Sequence, residues 1–142
     1  LGECLLWMRA VARRARRSMV SQDVEPALKT LLGEFLLAVS RFEPVLRLLI
    51  VQWLNPNPEY RRLIRRELSM MRREMANDMR DAAQLKGMGE VGFDVESDAI
   101  FSLLITFVLN ALDISQEKRE QRLAILERQV MMVVLGSRAL RA

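Results

Sequence analysis

Residues 99–112, AIFSLLITFVLNAL, run without a charge between Asp98 and Asp113 and decide how the rest of the chain is read. Apolar and polar residues do not alternate here as a half-buried strand would require. Ile100, Phe101, Leu103, Leu104, Ile105, Phe107, Val108, Leu109, Ala111 and Leu112 instead point almost all round a helix axis, and such a helix must be covered on several sides. A spanning helix needs about 20 apolar residues. This run is too short for that and is interrupted by Ser102, Thr106 and Asn110. Those three step by four, in line with Asp98. They form either a narrow solvent stripe with hydroxyls bonded back to helix carbonyls, or a polar row facing a cavity or a partner helix.

Outward from this stretch, Asp94 is expected to cap the helix over about 95–112, with Glu96 suited to its positive end. Ser115 then caps a last helix, about 116–135, which Gly136 closes before a basic tail with Arg138 and Arg141. The second half of that helix, Val130 to Leu135, is again apolar without interruption. One subunit with two such helices struggles to cover them, and monomers avoid large exposed apolar patches. Two copies pairing through residues 94–136 would close a two-fold four-helix bundle. The expected interface is Leu104, Phe107, Val108, Leu123, Leu126, Val130, Met131 and Val134. The competing arrangement keeps both helices central within one subunit.

Upstream, four more helices are expected, which makes about six in a single all-α domain over residues 1–142. The first, about 3–20, sets Trp7, Met8, Val11, Ala12, Ala15 and Met19 on one face and arginines mainly opposite. The second, about 24–42, is capped by Asp23 and striped by Leu28, Leu31, Leu32, Phe35, Leu36, Val39 and Phe42, with Gly33 marking a close helix crossing. The third, about 44–54, is apolar nearly all round and is expected to be deeply packed. Asn55-Pro56-Asn57-Pro58 stops the chain. Asn57 caps the next helix and Pro58 occupies its first position. That fourth helix, about 58–84, carries Ile64, Leu68, Met71, Met75, Met79 and Ala82 on one face. Its many arginines are interleaved with carboxylates and read as surface ion pairs. Gly87, Gly89 and Gly92 mark the loop that follows.

Composition narrows the chemistry. The chain has 142 residues, 51% of them hydrophobic, and a net charge of +4. Arg9, Arg13, Arg14, Arg16 and Arg17 against Glu3 account for that whole excess. They form either a solvated helix face or a segment near polyanion. There is no histidine, so the commonest general base and metal ligand is missing. Cys4 has no histidine to activate it and no second cysteine to bridge, so a reducing, cytoplasmic setting is expected. No glycine-rich phosphate loop follows a strand. Glu67 and Glu74 share a face, but without histidines at matching spacing they do not make a di-iron bundle. No enzyme activity, metal or cofactor is expected. The chain begins at Leu1 rather than Met, which reads as an excised part of something longer.

The order of elements resembles the C-terminal domain of TetR-family transcriptional regulators. It runs from an arginine-rich helix through two packed helices, a break at Asn-Pro and a long helix to two apolar helices ending in Val134-Leu135-Gly136. The closing stretch, residues 93–140, carries most of the likeness, and the family's N-terminal helix-turn-helix is absent. The resemblance implies an effector-sensing and dimerisation domain. Residues 1–20 would connect to the missing DNA reader, a homodimer would form through the last helices, and DNA would be contacted only through the absent domain. A small, hydrophobic effector would sit among the first, second, fourth and fifth helices and swing the connector. Trp7, Met8, Phe35, Trp53, Met71, Met75, Phe101 and Thr106 are the candidate lining, and each also reads as plain core. The main alternative is a helical interaction module that binds a partner helix. A membrane-surface role for the basic first helix is a weaker one, and no membrane partner is expected.

Overall fold

A computed structural model describes residues 24–85 and 93–141, together with Ala10 and Arg13. Among the described residues the chain is all-α, with five helices and no strand. They are α1 (Val24–Arg41), α2 (Glu43–Trp53), α3 (Pro58–Leu85), α4 (Phe93–Ala111) and α5 (Gln116–Arg141). The helix expected over residues 3–20 lies outside the described residues, apart from Ala10 and Arg13, both helical and exposed. The Asp23 cap and the loop glycines also lie outside them.

The helical spacing of the sequence is realised most plainly in α1. Leu28, Leu32, Leu36 and Val39 fall on one side and are buried. Phe42 separates α1 from α2, and Pro44 sits in the first turn of α2, where no backbone donor is required of it. At the next joint the Asn57 side chain accepts a hydrogen bond from the Glu59 backbone N–H at 3.0 Å, which is the expected cap. The Ser115 hydroxyl faces the Lys118 N–H at 3.4 Å, a longer version of the same device.

Side-chain contacts fix the directions of the helices. Lys29 meets Glu127 at 4.0 Å and Ser40 donates to Gln116 at 3.2 Å, so α1 and α5 run antiparallel. Glu96 accepts a hydrogen bond from Ser137 at 2.8 Å, while Arg119 reaches Ala111, so α4 and α5 are antiparallel too. Arg72 with Asp98 and Arg80 with Asp94 give α3 and α4 the same relation. α2 packs on both α1 and α3. The five helices thus surround one core, in which Leu28, Leu32 and Val39 of α1 meet Leu46 of α2, Phe107 and Val108 of α4, and Leu126 and Val130 of α5. The Phe35 and Phe107 rings, 5.9 Å apart and tilted, join α1 to α4.

Five local expectations are corrected. α5 does not stop at Gly136 but continues to Arg141, because that glycine keeps an ordinary helical backbone instead of the left-handed one that ends helices. Gly33 marks no close crossing, since a Cβ built there meets nothing within 4 Å. α4 begins at Phe93, which places Asp94 inside its first turn, not at the cap. α2 is not deeply packed: Leu46 is its buried residue, while Leu48, Val51 and Leu54 stand exposed. A helix of 11 residues at the rim of a five-helix bundle offers the core one face only. On α3, Arg72 and Arg80 pair with acids of α4, whereas Arg62, Arg65 and Arg66 form no ion pair among the described residues.

Candidate functional site

The last two helices, where pairing of copies is expected, have two unlike sides. Phe107, Val108, Leu126, Val130 and Val134 are buried within their own chain, Leu126 and Val130 to 2% exposure. Leu104, Leu123 and Met131 are partly buried and pack against the same core. All eight expected interface residues therefore lie on the inward side, where α1 and the other helices already cover them. The five buried ones retain little surface to offer a second copy. The outward side carries a different set: Leu109, Ile125, Met132 and Leu135 are exposed, Met132 to 73%, and Ile105 is half-buried. α4 and α5 pack side by side, so their outward sides form one surface.

The polar row of α4 lies on that outward side. Ser102, Thr106 and Asn110 are exposed, and the Ser102 hydroxyl donates back to the Asp98 carbonyl at 2.9 Å. The geometry fits both readings: the Ser102 hydroxyl is back-bonded, and the row stands on the side that a partner helix would meet.

The candidate ligand residues are dispersed. Trp7 and Met8 lie outside the described residues. Phe35 and Met75 pack against the core cluster. Phe101 is buried beneath the Arg72 guanidinium, which stands 5.3 Å from the ring centroid. Trp53 and Met71 are half-buried and Thr106 is exposed. A cleft of about 450 Å³ at the α3–α4 seam is lined by Arg72, Arg73, Ala76, Asp94, Val95 and Asp98, none of them a candidate from the sequence. Four of its six lining residues are charged, and three of those, Arg72, Asp94 and Asp98, are engaged in ion pairs. Arg72 Nε lies 3.1 Å from Asp98, misaligned for a hydrogen bond, and Arg80 donates to Asp94 at 3.3 Å.

The best-built polar cluster joins the two helix corners. Arg119, only 7% exposed, donates from Nε to the Ala111 carbonyl at 2.6 Å and from a terminal nitrogen to Glu43 at 3.0 Å. Arg47 donates to the other Glu43 oxygen at 3.0 Å and also to the Leu112 carbonyl. Two guanidiniums thus satisfy carbonyls at the negative end of α4, where positive charge is favoured. One carboxylate from the start of α2 bridges them. The hydrogen bond from Arg119, then that from Arg47, holds the Glu43 carboxyl below the usual carboxylate range. Chemically the cluster is a clamp. It ties the α1–α2 corner to the α4–α5 corner and leaves no lone pair aimed at a substrate.

Sequence reasoning did not expect the burial of Arg119, Glu96 and Ser97, the three buried polar residues among those described. The signal was present. Arg119 keeps step with Leu123, Leu126 and Val130, at spacings of four, three and four, and Glu96 keeps step with Ile100 and Phe107. A charge in register with a buried stripe has to find a partner inside.

Among the described residues, no group of three or more His, Cys, Asp or Glu can hold a metal ion. No helix among them is long and apolar enough to cross a membrane. The chain matches no family model, no curated protein and no solved structure.

Proposed function

We propose that this chain is the effector-sensing and dimerisation domain of a TetR-like transcriptional regulator, paired with a second copy through the outward sides of α4 and α5. The observation that carries the reading is the row of uncovered apolar side chains on those two helices, Leu109, Ile125, Met132 and Leu135. Uncovered apolar surface of that kind marks a contact site. The two helices are antiparallel and adjacent, so a two-fold mate would complete a four-helix bundle without disturbing the subunit core. The interface moves from the inward residues expected from the sequence to their outward neighbours.

A small hydrophobic effector would act by favouring one placement of residues 1–20 relative to the bundle, and DNA would be read by a domain outside this chain. Light scattering of the pure chain tests the reading. A dimer is expected. A chain that stays monomeric as its concentration rises contradicts it and leaves the helical interaction module standing.

A further inference from the structure

The outward side of α2 and α3 belongs neither to the core nor to the α4–α5 surface. Leu48 and Val51 of α2 and Leu54 just past its end stand exposed at three-residue spacing, Leu54 to 80%. Tyr60 and Leu63 project from α3 just past the proline joint, and the two helices pack against each other. Arg62, Arg65 and Arg66 of α3 are exposed and have no carboxylate partner among the described residues. Glu59 is the one acid in residues 54–66.

Charge and shape decide what fits. A second copy meeting this face with its own would set arginine against arginine, and a two-fold contact has to be self-complementary. Residues 1–20, with five arginines against one glutamate, carry the same sign as this face. Nucleic acid would engage the arginines but leave the leucine and valine row in water, with Tyr60 the one exposed aromatic there to stack a base. A partner helix seats its apolar stripe in a groove, and the cleft described above lies at the α3–α4 seam. An anionic bilayer meets both demands. Its headgroup–acyl boundary takes exposed apolar side chains, and its phosphates take guanidiniums that reach outward on long stems.

We propose that the outward side of α2 and α3 is a peripheral docking surface for an anionic membrane. Leu48, Val51 and Leu54 enter the headgroup boundary, and Arg62, Arg65 and Arg66 meet lipid phosphates. Nothing spans the bilayer, and the α4–α5 surface stays free.

Flotation of the full chain with vesicles of phosphatidylcholine alone, or of phosphatidylcholine mixed with phosphatidylglycerol, tests this. The chain is expected to float with the mixed vesicles only, and less so as salt rises. Each arginine near an anionic surface is worth roughly fivefold in partitioning, so R62Q/R66Q is expected to bind about thirtyfold more weakly. L54S is expected to lower binding at every salt concentration. All three side chains are exposed, and matching thermal melts would show that the variants remain folded. Equal flotation of R62Q/R66Q and the parent chain would place binding elsewhere and overturn the proposal. So would failure of the parent chain to float, including the case in which it binds duplex DNA instead.

Discussion

Neighbouring residues of α5 meet opposite fates. Leu126, Val130 and Val134 are sealed into the core, while Ile125, Met132 and Leu135, one or two steps away along the chain, face outward. The same division runs through α4, with Phe107 and Val108 inside and Leu109 outside. A helix that is greasy all round needs cover on several sides, and this subunit supplies it on one side of each helix. The inward half holds the fold together. The outward half is surface that the fold does not use, and that surplus is the physical basis for the proposed pairing with a second copy.

The largest expected effect separates those halves. Leu126→Ala removes a side chain with no room to relax and is expected to destabilise the subunit by about 2–5 kcal/mol. Ile125→Ala, next to it but 44% exposed, is expected to move subunit stability by less than about 0.5 kcal/mol. Urea denaturation of the two variants checks this, and similar losses in both would erase the distinction.

Next in size is the clamp. Arg119→Ala leaves the Ala111 carbonyl and Glu43 without their buried donor and is expected to cost about 2–3 kcal/mol, as charged hydrogen bonds do. Glu43 gives that clamp a pH dependence. Its carboxyl is held below the usual range, first by Arg119 and then by Arg47. Its ionised form therefore stabilises the fold above the ordinary carboxylate range, and that contribution fades as pH falls through the lowered value. Glu43→Gln is expected to flatten the acid side of a plot of Tm against pH. An unchanged acid limb would mean that the clamp contributes nothing.

The smallest effect probes the glycines. Gly33 and Gly136 lie within helices with open space where a Cβ would go. Alanine at Gly33 is expected to raise stability by roughly 1 kcal/mol. Gly136 lies on the outward side of α5, so alanine there is expected to help the isolated subunit equally and to weaken the proposed dimer. Thermal melts at low and high protein concentration separate the two contributions.

The sequence made the helical class, the α1 stripe and the Asn57 cap legible because each rests on local rules: a period, a capping side chain, a proline. It could not show which side of α4 and α5 would face inward, because nearly uniform apolarity erases the amphipathic signal that points a helix. The position of α2 was hidden for the same reason. Arg119 was legible in principle, through its register with Leu123, Leu126 and Val130, but it sits in the charged run Lys118-Arg119-Glu120 and reads there as one more surface arginine. The cleft at the α3–α4 seam depends on which residues of two separate helices come level, and no local pattern encodes that.

The most direct measurement is sedimentation equilibrium of the parent chain beside Met132→Asp and Leu54→Asp. Both replace exposed side chains, so all three chains should fold, and one charge falls on the proposed interface while the other falls far from it. Dimers are expected for the parent chain and Leu54→Asp, and monomers for Met132→Asp. A parent chain that is monomeric throughout, or a Met132→Asp chain that pairs as tightly as its parent, would contradict the account.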